Sequence, residues 1–443
     1  MARRTTRTRG AALLLAASLA CAALAACSTG SGGDARPGGG SSVGDTSALN
    51  STSATPTGSA ATSPSPDASP SSSAVVTVAP AASKRISPTT PITVSVQGGT
   101  LTTVQLTNAA GKQVKGAQSA DGLSWTNSEP LGYGKIYTLS ATATGVDGTR
   151  VVKTAKYTTV TPSNQTMPSF QYTGGYALQD GATYGVGIVP TVHWDEPITD
   201  KAAAVKTLTI NSTPHVAGAW YWPDDQNVAF RPEQYWPAHT KVSITVKDYG
   251  KKVSPGLYGQ SDISTSFKIG AKHVTIAHDN APSVDKVDVY FNDKLVKKWN
   301  TSMGKHETIT YAGNKISYYT MSGTYTVIAH ENPARMTSAS YGLPVNAPGG
   351  YDELIYWATK ISTDGIYLHQ LDTTVWAQDH GYDVSHGCLN LRKEYAQWFY
   401  QHSLIGDVVE IRGTKGAPKI DYWQGGAWSV PWSTWTKAGF LVS

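Results

Sequence analysis

From residue 84 onward the chain is built of short runs in which apolar and polar residues alternate with a period of two. Residues 92–96, 102–106 and 137–141 read this way, and turn signals such as Gly98-Gly99 and Asn108-Ala109-Ala110-Gly111 stand between them. A period of two puts every second side chain on one face of a strand, and closely spaced turns fold neighbouring strands back antiparallel. The pattern restricts this part of the chain to small antiparallel sandwiches, one over residues 84–162 and a second over 163–270.

In the second segment, 188–194 is expected to be a strand, with Pro190 marking an edge or a bulge, and 203–210 is expected to end as another. Aromatic residues follow at Trp220, Tyr221, Trp222, Phe230, Tyr235 and Trp236. Such side chains either fill a core or stack on sugar rings. The core reading is preferred, because aromatics in sandwiches bury most of their surface. His193, His215 and His239 lack metal-like spacing and are assigned no role.

The first 26 residues have a different character. Arg3, Arg4, Arg7 and Arg9 precede an apolar run that is too short to span a bilayer stably, which is the pattern of a secretion signal. The run ends Leu24-Ala25-Ala26-Cys27, which resembles a bacterial lipobox and implies cleavage before Cys27 and lipidation of its thiol. An ordinary signal peptidase site is the alternative. The Arg3-Arg4 pair stands without the rest of a twin-arginine motif. Residues 27–83 are Ser, Gly, Ala, Thr and Pro with few large apolar side chains, so they are expected to be a disordered linker. As a coil this linker spans about 40 Å, and fully drawn out at most about 190 Å. It serves either as a tether into an outer layer or as a passive spacer.

A chain of 443 residues is too long for one core, and two to four domains are expected. The net charge of +5 is modest, and much of the basic excess lies in the leading segment, so no nucleic-acid partner is expected. The three cysteines are Cys21, Cys27 and Cys388. If the first is removed and the second acylated, Cys388 is the sole free thiol, either inert or kept for its reactivity.

Its surroundings favour reactivity. Cys388 lies in Ser385-His386-Gly387-Cys388-Leu389-Asn390, and His369 closes an expected strand over 365–369. A thiol is only a few per cent ionised at neutral pH, so it needs a base, and His369 is the choice. A polar loop is expected over 370–384. The turn at 385–390 leads into a helix over 394–402, where Tyr395, Trp398, Phe399 and His402 share one face. Strands are expected at 273–276, 286–290, 294–299 and 408–411, and extended chain over 318–330. A zinc site from His369, His380, His386 and Cys388 lacks a second Cys and a helical His pair, so no metal and no cofactor are expected.

The spacing from His369 to Ser385, the Ser-His-Gly-Cys-x-Asn run, residues 341–346 and the tail 428–432 together resemble the L,D-transpeptidase (YkuD-type) family, in its actinobacterial lipoprotein branch. The resemblance implies a mainly β protein: two immunoglobulin-like sandwiches, a catalytic β-sandwich domain over 271–412 with one clear helix, and a small Trp-rich C-terminal subdomain over 413–443. It implies a lid over 311–346, with Met303 and Tyr341 lining the cavity beneath. The carbonyl of Gln370 would orient His369. Cys388 would form a thioester with a tetrapeptide stem, release D-Ala, and pass the acyl group to the side-chain amine of a second stem, giving a 3→3 cross-link. Backbone N–H groups around His386, Gly387 and Cys388 would hold the oxyanion. Gly387 would let the tetrahedral centre approach, Ser385 and Asn390 would hold the turn, and His386 would support the site. The implied partners are donor and acceptor peptidoglycan stems, carbapenem-type inhibitors and, through lipidated Cys27, the outer face of the membrane. The same thioester could instead serve a carboxypeptidase or protein attachment to the wall. A catalytically inactive wall-binding lipoprotein is a further alternative, against which the intact motif speaks.

Overall fold

The computed structural model describes residues 73–82 and 84–443. The expectations for the leader, Cys27 and the linker up to residue 72 lie outside the described residues. No helix among the described residues is long and apolar enough to cross a membrane.

The first sandwich pairs a four-stranded sheet, in the order Val75–Ala79, Thr93–Gln97, Ser124–Asn127 and Gly116–Gln118, with a three-stranded sheet of Gly99–Asn108, Ile136–Gly145 and Arg150–Thr158. Val94, Leu106, Leu139 and Tyr157 are buried between them. The strand Val75–Ala79 corrects the linker boundary. It pairs residue by residue with Thr93–Gln97 and buries Val76, because three valines within five residues supply the β-branched surface that the rest of the linker lacks.

The second sandwich has a core of Trp194, Trp220, Phe230, Trp236 and Phe267. The large aromatics at 220, 230 and 236 are therefore core residues. Two local readings change. Residues Lys201–Val205 form a helix capped by the Asp200 side chain, and the strand that follows is Leu208–Thr213. Thr191–Trp194 is an interior strand. Pro190 sits just before it, where only its carbonyl is needed, accepting from Phe230 N–H at 2.9 Å.

The third unit has a five-stranded sheet in the order Lys294–Thr301, Asp285–Phe291, His273–His278, Val408–Arg412 and Gly323–Thr326. A second sheet runs Ala329–Glu331, Ala358–Lys360, Tyr367–Gln370 and Leu389–Leu391. Their shared core holds Val287, Val289, Leu368, Leu389, Leu391 and Phe399, the last from helix Lys393–His402. The polar segment after His369 is not a plain loop. It contains helix Val375–His380, ended by Gly381 with φ +75°.

The expected lid is also redrawn. Gly323–Thr326 belongs to the core sheet, and Tyr325 is fully buried there. The cover consists of two hairpins, Thr308–Tyr311 with Asn314–Ser317, and Ala334–Thr337 with Asp352–Ile355. They are joined through a small cluster of Ile316, Tyr318 and Leu343.

Residues 413–443 strap two units together and have little core of their own. Ile420 enters the core of the third unit, whereas Trp435 packs on Ala219 and Ala229 of the second, and Leu441–Val442 adds a strand beside Gly218–Tyr221. The Arg231 guanidinium lies 4.5–5.2 Å from the ring centres of Trp428, Trp432 and Trp435 and donates to the Val430 carbonyl at 2.7 Å. Burial pulls it down to about 10, so it stays cationic at neutral pH.

Candidate active site

The strands Tyr367–Gln370 and Leu389–Leu391 run parallel, with Leu368 opposite Leu389 and His369 opposite Asn390. Leu368, Leu389 and Leu391 face the core. By alternation Tyr367, His369, Cys388 and Asn390 share the other face, and all four line one cavity of about 910 Å³. The two residues chosen from sequence as nucleophile and base thus stand together on the cavity floor.

His369 Nδ1 lies 3.0 Å from the Gln370 carbonyl, and with the proton on Nδ1 the ring is the donor. That tautomer leaves the Nε2 lone pair to take a proton. The Gln370 side chain bonds Asp372 instead, so only the Gln370 backbone serves the ring. Burial pulls the imidazole down to about 4, against the opposing Gln370 carbonyl. Burial also pushes the Cys388 thiol up to about 12, although its sulfur is reachable through the cavity and the Tyr367 N–H opposes the shift. Both directions give a neutral thiol beside a neutral imidazole. The thiol lies 3.4 Å from the Gly365 carbonyl, its hydrogen-bond acceptor in this resting arrangement.

The loop before Cys388 is tied at several points. Ser385 Oγ donates to the Cys388 carbonyl at 2.7 Å and accepts from Gly387 N–H at 3.0 Å. Thr320 Oγ1 donates to the Gly387 carbonyl at 2.8 Å and accepts from Gly304 N–H at 2.9 Å. With Gly387 N–H engaged, the N–H groups of His386 and Cys388 are left without a protein acceptor among the described residues. Gly387 has φ +133°, while a Cβ there would meet only ordinary contacts at 3.6 and 3.7 Å. Within the protein itself, its requirement for glycine is conformational. At Gly304 the reverse holds: a Cβ would come within 2.1 Å of the Tyr318 carbonyl.

His386 is walled by Tyr318, Tyr341 and Tyr351, with ring centres at 4.5, 6.4 and 5.1 Å. Its Nε2 has no partner, and burial, then nearby Lys305, lowers its proton affinity. Tyr341 lines the cavity as expected. Met303 does not: it is fully buried in the core, held by its backbone, which donates to Asp383 and accepts from Ser385 N–H. The expectation failed because the alternation that buries Trp299 and Thr301 carries on into Met303. Asn390 does not hold the turn through its side chain. Its backbone pairs with Ser302, and its amide is buried with no partner on either atom among the described residues. Thr320, Gly304, Tyr318 and Tyr351 were not singled out from sequence, where aromatic and glycine content around the expected lid is the only signal for them.

A family model described as the L,D-transpeptidase catalytic domain matches residues 282–411, and one described as a bacterial Ig domain matches residues 83–252, running over both sandwiches. L,D-transpeptidase 2 of Mycobacterium tuberculosis (strain CDC 1551 / Oshkosh) is 38% identical over 352 residues, covering 79% of this chain and 80% of that protein. L,D-transpeptidase 5 of Mycobacterium tuberculosis (strain ATCC 25618 / H37Rv) is 33% identical over 374 residues, covering 83% and 77%. Among solved structures, an L,D-transpeptidase from Mycobacterium smegmatis shares 30% identity and covers 53% of this chain and 95% of that one, at TM-score 0.41. An L,D-transpeptidase solved in complex with imipenem shares 24% identity and covers 55% and 99%, at TM-score 0.44. Fold and matches define an enzyme of the acyltransferase type. The chain belongs to the L,D-transpeptidase family, with immunoglobulin-like structure ahead of the catalytic domain.

Proposed function

We propose that this enzyme cross-links peptidoglycan through a thioester on Cys388. The observation that carries the reading is the shared face of Cys388 and His369 on the floor of one large cavity, with Nδ1 already engaged. His369 Nε2 takes the thiol proton as the sulfur attacks the carbonyl that precedes the terminal D-Ala of a tetrapeptide stem. Moving the proton during attack suits a pair that is neutral at rest. The unengaged N–H groups of His386 and Cys388 receive the oxyanion, and one such donor is typically worth about 3 kcal/mol. D-Ala leaves as the amine, taking the proton from His369. The side-chain amine of a second stem then displaces the sulfur, giving a 3→3 amide link and restoring the thiol.

The cavity is large enough for a peptide stem. Tyr341 forms part of its wall, and His386 supports the aromatic side of the site. A carbapenem, whose strained amide meets the same thiol, is proposed to acylate Cys388. Export, acylation of Cys27 and attachment to the outer face of the membrane complete the reading, supported by the lipobox-like sequence.

The test is incubation of the purified protein with a disaccharide-tetrapeptide and mass analysis of the products. Loss of D-Ala with appearance of a dimer is expected, and neither from Cys388→Ala. Dimer formed by that variant would defeat the assignment. Tripeptide without dimer would reassign the enzyme to hydrolysis.

A further inference from the structure

Behind the loop that carries Cys388, four side chains spread from residue 279 to residue 383 converge. His306 Nε2 lies 2.9 Å from Asp279 Oδ2 and 3.4 Å from Asp383 Oδ2. These three atoms lie within 4.8 Å of one another. The Asp285 carboxyl group packs against that of Asp383. The three carboxylates are held alike. Each Oδ1 accepts a backbone N–H: Asp279 from Ala281 at 3.4 Å, Asp285 from Asn280 at 2.7 Å, and Asp383 from Met303 at 2.6 Å. The Oδ2 atoms of Asp279 and Asp383 face His306 Nε2, and Asp285 stands beside Asp383.

Asp285 is the observation that points to a ligand. It is 2% exposed, and its Oδ2 has no hydrogen-bond partner among the described residues. Asp383 Oδ2 is likewise unpartnered, on a side chain 10% exposed. His306 has a single Nε2 proton to give, and Asp279 lies closest to it. Among the described residues no Lys or Arg pairs with any of the three acids. Buried carboxylates that leave one oxygen unpaired and have no Lys or Arg counter-charge are costly, a conflict that a counter-ion or a proton relieves.

We propose that Asp279, Asp285, His306 and Asp383 form a divalent-cation site. The Asp279 and Asp383 oxygens with the His306 nitrogen suit Mn²⁺ or Zn²⁺, and Asp285 beside Asp383 adds charge and holds that ligand; the partly exposed His306 side of the cluster gives the ion a way in. The site goes beyond the acyl-transfer chemistry and has a positioning role. Gly304 bridges Ser385, and Lys305 N–H donates to the Ser385 carbonyl at 2.9 Å. A cation held by His306 and Asp383 therefore clamps the two segments that set the loop of Ser385 and Cys388.

The rival arrangement is a proton shared between Asp285 and Asp383, which also relieves the conflict. Tag-free, full-length Cys388→Ala protein, which removes the thiol as a competing ligand, is stripped with EDTA. It is then titrated calorimetrically with MnCl₂ and with ZnCl₂ at neutral pH, with circular dichroism as the check on folding. One equivalent of bound ion and a raised unfolding midpoint are expected. Asp285→Asn, added to that background, should weaken binding by more than about tenfold. His306→Gln, at the solvent side where folding is least at risk, should do the same. A folded protein that binds neither ion, or binding unchanged in both variants, overturns the site and leaves the shared proton as the explanation.

Discussion

His369 is the register partner of Asn390 across a parallel strand pair, which places its ring two residues beyond Cys388 on the same face. The ladder, not a flexible loop, holds His369 and Cys388 on that face. The fifteen residues between His369 and Ser385 therefore need only return the chain to the sheet, and helix Val375–His380 takes up part of that length.

The first prediction concerns ionisation. Burial pushes the thiol up to about 12 and pulls the imidazole down to about 4, so the expected resting pair is neutral. Alkylation of Cys388 by iodoacetamide should rise about tenfold per pH unit between about pH 6 and 9, without a plateau. A plateau with a midpoint below about 7 would mean the ion pair exists at rest. The same shift acts on stability. An imidazole held below its unfolded value contributes stability that is present above about pH 6.5 and lost as pH falls through about 4. The urea midpoint should fall across that window, and less so in His369→Gln.

Gly387→Ala tests whether the loop needs its unusual backbone. The added methyl has room, so the cost is conformational, about 1–3 kcal/mol at φ +133°. If the loop relaxes, the N–H groups of His386 and Cys388 shift with it. Acylation by a carbapenem should slow by at least about tenfold while the protein stays folded. Wild-type acylation at an unchanged unfolding midpoint would show that this glycine is dispensable.

His386→Phe separates support from catalysis. The ring sits among three tyrosines with an unpartnered Nε2, so its shape matters more than its basicity. Acylation by the variant should stay within about tenfold of wild type, well short of the 10²–10⁴-fold that a general base contributes. A loss as large as that of a base would make His386 a second proton carrier.

The motif from His369 to Asn390 was legible because its chemistry is local: a thiol, a glycine, and an imidazole at the end of a strand. Alternation likewise exposed the sandwiches. Met303 was misplaced because its core-facing position depends on the register of Lys294–Thr301, which distant partners set. Helix Val375–His380 is too short to show a period, and its polar letters read as loop. The acids at 279, 285 and 383 come together only through tertiary pairing, so no spacing rule could find them. The tail's tryptophans were visible, but nothing local says that Arg231 of the second sandwich is what they enclose.

That enclosure carries its own prediction. Arg231 is buried and pairs with no acid among the described residues; three indole faces and the Val430 carbonyl stabilise it. Arg231→Ala removes these contacts and leaves a cavity, at a cost of about 3 kcal/mol. Urea denaturation should show the loss, together with greater protease access to residues 428–443. A change below about 0.5 kcal/mol would mean the strap is held by its other contacts alone.

The role of His369 is tested most directly by single-turnover acylation of Cys388, followed by intact-protein mass spectrometry with a tetrapeptide stem. Wild-type protein should gain the mass of the stem less D-Ala, and His369→Ala should do so about 10²–10⁴-fold more slowly with its fold intact. Equal rates in the two proteins would contradict the assignment of His369 as the group that takes the thiol proton.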